Sequence, residues 1–235
     1  MVLSFSKGVI TIYTEEIVMF YTIVFDDEYP DVWYNSKKDH FYTVECPVFP
    51  DHIRGERNDE SLSIEIKRKK MGDFIFTPFC DCLITDKTAE LFEKEGLTGY
   101  KLREVDVSNK VLPFKLWEIR VLGKAKITPD SGMKEIYRCE HCDLVMYGVS
   151  NDKTGAVIDE STWDGSDFFR IEQNQIIIFV TEKVKNVIDD HKLTGVFLVP
   201  STELQLGYSE TDDDKNWSKE QWKEYFEEVD EDEEI

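Results

Sequence analysis

The cysteines are the residues of this 235-residue chain whose spacing best suits chemistry. Cys139 and Cys142 are separated by two residues, and this spacing lets both sulfurs reach one metal ion from a tight turn. A structural zinc site normally takes four protein ligands, but the sequence has no second CxxC motif, and Cys80 and Cys82 are closer together than zinc ligands usually are. We therefore assign no metal ligand and no cofactor. A zinc-containing regulatory or scaffold module built around Cys139 and Cys142 stays open as the alternative function.

Catalysis is not indicated by the remaining polar residues. A redox CxxC normally lies at a strand-to-helix turn, where the helix N-terminus lowers the thiol pKa, whereas residues 143–149 are typical of a strand. A cysteine–histidine pair would need the distant His40, His52 or His191, and His191 lies near a predicted helix end, where a cation complements the helix dipole. Glycine-rich phosphate loops, paired-histidine metal motifs and nucleophile elbows are absent from the sequence. We predict that the protein is not an enzyme and has no catalytic residues.

A polar stretch at 161–170 is the best candidate for partner contact. Trp163 is followed by a turn sequence that runs from Asp164 to Asp167, and these side chains can bond to their own backbone. The stretch is either a structural turn that leads into the strand at 168–171 or a surface loop that touches a partner. On the second interpretation, Trp163, Asp164 and Asp167 are the predicted partner-binding residues.

Charge narrows the class of partner. The formal net charge is −21, and residues 208–235 alone carry 13 acidic side chains against 3 lysines. Nucleic acid is excluded as a partner, because phosphates need lysine and arginine, whereas a basic protein is compatible. We find no secretory signal and no apolar run of about 20 residues that would span a membrane. The sequence has five cysteines, an odd number, which indicates reduced thiols in place of a disulfide framework. From these features together we expect a cytoplasmic protein with no membrane partner.

Two segments of the chain have similar sequences. Residues 83–99 and 179–195 share one pattern: a threonine precedes an amphipathic helix, and the helix is followed by Leu-Thr-Gly and a strand. Thr181 in the second segment corresponds to Thr85 in the first, at an offset of 96 residues. Thr85 is the predicted N-cap and Gly96 the predicted C-terminal glycine, which Lys192 replaces in the second copy. The gapless match predicts two strand–helix–strand pseudo-repeats.

The elements between and around these copies are mostly strands, so we predict an α+β fold with a mostly antiparallel sheet. We divide the chain into an N-terminal extension (1–18, with Met19 as a possible true start), an N-terminal half with the first repeat (19–127), a C-terminal half with the second repeat (128–206) and an acidic tail (207–235). The two halves are expected to form one compact unit. The tail should hold a short helix capped by Ser218.

The chain resembles the immunity proteins of bacterial polymorphic-toxin systems, particularly the families with a double CxxCG motif. Beyond the repeated junction and the CxxC, the resemblance rests on Asp167–Ile171, Thr181-Glu182-Lys183 and Leu193-Thr194-Gly195, and it covers roughly residues 75–205. The first CxxCG is absent, with Cys46 alone near its place, and Asp143 stands where the second motif has glycine. The resemblance implies a non-enzymatic protein that binds and neutralises a cognate protein toxin. A basic nuclease is one class of toxin that would suit the acidic surface.

Overall fold

The computed structural model of the chain describes residues 2–6, 9–13, 19–26, 32–34, 44–48, 53–54, 62–67, 70–77, 81–129, 131–149, 155–172 and 174–204. Several predictions fall outside these ranges: the acidic tail and its helix, Cys80, His40 and His52. Within the described residues no helix is long and apolar enough to cross a membrane.

One six-stranded sheet, sheet I, contains the strands of the predicted first repeat. Its strands, in spatial order, are β4 (Val32–Tyr34), β7 (Leu62–Ile66), β10 (Tyr100–Val107), β11 (Leu116–Val121), β9 (Cys82–Thr85) and β8 (Phe74–Phe76). Neighbours are antiparallel except β7 and β10, which run parallel. In β7 the residues alternate between buried and half-buried, as the alternating sequence at 62–66 predicts.

A second six-stranded sheet, sheet II, contains the strands of the predicted second repeat. Its strands, in spatial order, are β15 (Ile158–Asp159), β12 (Gly123–Ile127), β16 (Phe168–Ile171), β17 (Asn174–Thr181), β3 (Phe20–Phe25) and β18 (Val196–Pro200). Only β12 and β16 are parallel neighbours. Because β3 and β12 precede residue 128, the first half of the chain contributes two strands to this sheet.

Three pairs of strands lie outside the two large sheets in the described part of the chain. They are β1 (Val2–Ser6) with β2 (Val9–Tyr13), β5 (Val44–Glu45) with β6 (Ile53–Arg54), and β13 (Met133–Arg138) with β14 (Val145–Val149). Together with two helices, these strands confirm the predicted α+β class with mostly antiparallel sheet.

The two helices, α1 (Asp86–Lys94) and α2 (Glu182–His191), begin at the predicted threonines. The Thr85 hydroxyl accepts from the backbone N–H of Thr88 (3.4 Å), which satisfies one of the free donors at the start of α1. At the other end of α1, Gly96 adopts the left-handed conformation (φ 61°) that favours glycine, and Lys192 adopts the same conformation (φ 52°) after α2. The predicted caps at Thr85 and Gly96 are therefore confirmed.

The largest hydrophobic core draws on both helices and both sheets. Phe92 of α1 is fully buried, with its ring centroid 6.0 Å from that of Phe74 in sheet I and 5.6 Å from that of Phe168 in sheet II. From α2, the predicted apolar face of Val184, Val187 and Ile188 packs into the same core. Complete burial of a phenylalanine side chain typically stabilises the fold by about 2–3 kcal/mol. Because the residues of this core come from both sheets, their burial holds the two sheets together.

Two matching sets of hydrogen bonds, which we call the Asp–Thr clamps, connect the sheets. In the first, Asp167 accepts from the backbone N–H (2.8 Å) and the hydroxyl (2.9 Å) of Thr98. In the second, Asp73 accepts from the backbone N–H (2.9 Å) and the hydroxyl (2.8 Å) of Thr194. The threonine of each Leu-Thr-Gly junction is thus bound by an aspartate that precedes a strand of the other sheet.

The glycine of each junction allows this close approach. Gly99 and Gly195 have φ angles of 87° and 89°, and an added Cβ would lie 2.2 Å from the carbonyl oxygens of Phe168 and Phe74, respectively. Since side chains disfavour this φ region and a Cβ would overlap the backbone, each position requires glycine. The Leu-Thr-Gly sequence therefore forms a contact between the two sheets as well as a turn.

Candidate functional site

The predicted partner-contact loop begins with a capped turn of 3-10 helix at Glu160–Thr162. The carboxylate of Asp159 accepts from the backbone N–H (3.0 Å) and the hydroxyl (2.6 Å) of Ser161. The hydroxyl of Thr162 donates to the Asp159 carbonyl (2.8 Å) and accepts from the backbone N–H of Lys126 on β12 (2.8 Å). Aspartate and threonine favour such local bonds, and here they fix the turn against the edge of sheet II.

Trp163 and Asp164 connect this turn to the body of the protein. The indole N–H of half-buried Trp163 donates to the Ser166 carbonyl (2.9 Å), and its ring meets that of Phe20 edge-on at 5.1 Å. Exposed Asp164 accepts from the backbone N–H groups of Lys124 (3.0 Å) and Ser166 (3.1 Å), and also from the Ser166 hydroxyl. The loop is therefore held in one conformation, as the structural-turn interpretation expects.

Asp167 lies inside the protein. It is only 8% exposed, and besides the bonds from Thr98 its carboxylate accepts from the hydroxyl of Thr181 (2.9 Å). The ammonium of Lys183 on α2 lies 3.6 Å away and partly balances the charge. Of the three residues predicted to touch a partner, Asp164 and half-buried Trp163 are accessible, whereas Asp167 supports the loop from below. Contact with a partner stays a prediction.

Three buried thiols converge elsewhere in the structure. The sulfur atoms of Cys46, Cys139 and Cys142 all lie within 4.8 Å of one another, and those of Cys46 and Cys139 are 3.9 Å apart. Cys46 follows β5 directly, and the other two lie in the connection between β13 and β14. We call these residues the three-thiol cluster. The fourth described cysteine, Cys82, is fully buried in the core shared by the sheets and is not a member.

A tight turn brings Cys139 and Cys142 to the same side of the chain. The backbone N–H of Asp143 donates to the Cys139 carbonyl (2.9 Å), and the N–H of Cys139 donates to the Leu144 carbonyl (2.9 Å). Asp143 has a φ of 58°, in the left-handed region where glycine is preferred and aspartate is among the better tolerated alternatives. Asp143 can therefore replace the glycine of a CxxCG motif without loss of the turn.

Two of the described thiols, those of Cys142 and Cys82, have raised pKa values. Burial and, to a smaller extent, the neighbouring thiols of Cys139 and Cys46 raise the pKa of Cys142 to about 11, although a hydrogen bond from the Leu144 backbone N–H acts in the opposite direction. Burial also raises the pKa of Cys82. Reactive cysteines need a lowered pKa, so Cys142 and Cys82 are poor candidates for a nucleophile.

Sequence reasoning found two members of this cluster and missed the third. It recognised the Cys139–Cys142 pair and considered Cys80 and Cys82, whose spacing is unusual for zinc, but it did not place Cys46 with the pair. The position of Cys46, before a proline and near the place of a first CxxCG, was the signal that could have identified it. His141 lies in the turn between the two ligands and is exposed, and it is not among the groups that converge with the sulfurs.

Neither the loop around Trp163 nor the three-thiol cluster assigns the chain to a known family. No family model matches it. No curated protein sequence matches it significantly either. Membership of an immunity-protein family stays a prediction that rests on the residues of this chain.

Proposed function

We propose that this protein is an immunity protein that binds and neutralises a cognate bacterial toxin without catalysis. The structural observation that supports a binding role is the Trp163 loop, residues 159–166, which is partly exposed and is held by hydrogen bonds along its length. A preformed loop loses little conformational freedom on association, and this improves affinity. The resemblance to immunity proteins supplies the kind of partner.

The exposed part of the loop is acidic. Glu160, Ser161, Asp164 and Gly165 are all exposed, and the carboxylates of Asp164 and Glu160 give this surface negative charge. The net charge of −21 extends the same sign over the chain. Opposite charge on a partner accelerates encounter and fixes orientation, so a basic toxin, such as a nuclease, is the class that fits.

A blocking mechanism follows from this charge. Acidic side chains at the interface would occupy the surface where a basic nuclease holds the phosphates of its substrate. The mechanism requires that the complex weaken with salt and that the toxin lose access to its substrate. A complex that forms equally well at all ionic strengths and leaves the toxin's active site open would exclude it.

The test is co-expression with the toxin domain encoded by the neighbouring upstream reading frame, with growth of the host as the readout. We expect the wild-type chain to restore growth. Glu160→Lys should slow association about three- to tenfold, because it reverses a charge at the edge of the interface. Asp190→Lys on exposed α2 is the matched control and should behave as wild type. Failure of the wild-type chain to restore growth, or an upstream frame that encodes a metabolic enzyme, would refute the immunity role.

A zinc-containing regulatory or scaffold module built around Cys139 and Cys142 is the second candidate function, and the three-thiol cluster is the observation that keeps it open. Metal binding alone does not separate the two candidates, because a structural ion is compatible with either. Growth rescue does separate them, since a scaffold module would not protect the host from a toxin.

A further inference from the structure

We propose that Cys46, Cys139 and Cys142 bind one zinc ion as thiolates, and that this ion joins the β5–β6 hairpin to the β13–β14 hairpin. The inference rests on the geometry of the cluster and does not depend on the immunity role. It differs from the expectation from sequence, which assigned no metal ligand.

The sulfur separations suit a thiolate-bound ion. Zinc–sulfur bonds of about 2.3 Å in tetrahedral geometry place two sulfur atoms about 3.8 Å apart. The observed distance between the sulfurs of Cys46 and Cys139 is 3.9 Å, and the other two separations are no longer than 4.8 Å. A shift of about 1 Å at Cys142 would complete the geometry, which is within the reach of a side-chain rotation.

A disulfide explains the cluster less well. Its S–S bond is about 2.05 Å long, roughly half the observed separation. Any disulfide would also use only two of the three sulfurs and would leave the third thiol buried beside it. One ion uses all three sulfurs.

The position of the cluster in the fold gives the ion a structural task. Among the described residues, β5 and β6 form only a two-stranded sheet with the pairs Val44↔Arg54 and Glu45↔Ile53. The β13–β14 hairpin is likewise a separate two-stranded sheet. Hairpins of this size are marginally stable alone in water. An ion bound by Cys46 and by the Cys139–Cys142 turn would connect segments that lie 93 residues apart in sequence.

Thiolate chemistry selects the kind of ion. Sulfur ligands exclude Ca²⁺ and Mg²⁺ and favour zinc, copper(I) or iron–sulfur clusters, and the turn at 139–144 resembles the short CxxC loops that hold structural zinc. The hydrogen bond from the Leu144 N–H to the Cys142 sulfur is an outer contact that stabilises a thiolate. Binding balances as Zn²⁺ plus three thiols giving a zinc tris-thiolate and three released protons. A water molecule would fill the fourth position of a tetrahedral site.

The test is metal analysis of the full chain, purified under reducing conditions. We expect about one zinc per chain for the wild type and for Cys82→Ser, which removes a fully buried thiol outside the cluster. Cys139→Ser and Cys46→Ser should each lower the zinc content at least about tenfold. If a serine variant fails to fold, the wild-type chain can be stripped with a chelator and titrated with Co²⁺. Absorption from sulfur-to-cobalt charge transfer is then expected at one equivalent.

Three outcomes would overturn the inference. The first is a reduced wild-type chain that takes up neither zinc nor cobalt. The second is equal zinc loss from Cys82→Ser and Cys139→Ser. The third is stoichiometric copper or iron in place of zinc. Each can occur whether or not the protein protects its host from a toxin, so the two proposals fail separately.

Discussion

Replacing Asp167 with alanine should lower the free energy of unfolding by about 3 kcal/mol, because the carboxylate accepts hydrogen bonds from Thr98 (backbone N–H and hydroxyl) and from Thr181. Hydrogen bonds to a charged acceptor contribute about 1.5–3 kcal/mol each, but the three values do not add. Thr98 is exposed, so water replaces part of what it loses, whereas the Thr181 hydroxyl is only 8% exposed and would stay without its acceptor.

The second Asp–Thr clamp supplies the comparison. Asp73→Ala removes an equivalent pair of bonds to Thr194, but both residues are accessible to solvent. We therefore expect a smaller loss of about 1–1.5 kcal/mol. Two changes that look alike in sequence should differ at least twofold in cost, since burial decides how much water can compensate.

Urea denaturation of the full chain, followed by fluorescence and circular dichroism, measures both values. For a chain of this size, a loss of about 3 kcal/mol corresponds to a fall in Tm of roughly 6–12 °C. Asp190→Ala on the exposed face of α2 is the control and should change stability by less than about 0.5 kcal/mol. An Asp167→Ala loss of less than about 1 kcal/mol, or a larger loss for Asp73→Ala, would refute the role given to burial.

Further predictions concern a helix end and the metal-free cluster. Lys192→Gly should raise the free energy of unfolding by about 1 kcal/mol and Gly96→Lys should lower it by as much, because both positions are left-handed; equal and unchanged urea midpoints would contradict this. Burial raises the pKa of Cys142 from 9.0 to about 11, so the folded metal-free chain holds this proton more tightly than the unfolded chain. Its stability should therefore fall between pH 9 and 11, and urea titrations of chelated protein that show no decline there would oppose the assignment.

Local patterns made the helices predictable. Thr85 and Gly96 bracket α1 with residues whose preferences act within a few positions, and the apolar faces of both helices follow the 3.6-residue period. The strand at 62–66 is equally predictable, because the alternation of apolar and polar residues along it is also a local pattern. Such signals need no knowledge of what the segment packs against.

Long-range contacts were not predictable in the same way. The sequence around Cys46 does not indicate that its sulfur lies beside that of Cys139, 93 residues later, because this contact depends on the pairing of distant strands. The burial of Asp167 was hidden for the same reason, since its partner Thr98 belongs to the other sheet. A turn sequence rich in aspartate looks alike whether it faces solvent or another strand, so the site prediction included one residue that lies inside.

Binding of the full chain to an inactivated variant of the upstream-encoded toxin, measured by isothermal titration calorimetry, tests the central claim most directly. We predict a one-to-one complex with a nanomolar dissociation constant that weakens about tenfold between low and moderate salt, as expected for opposite charges at an interface. Absence of binding at micromolar concentrations, or an affinity that does not change with salt, would contradict the account.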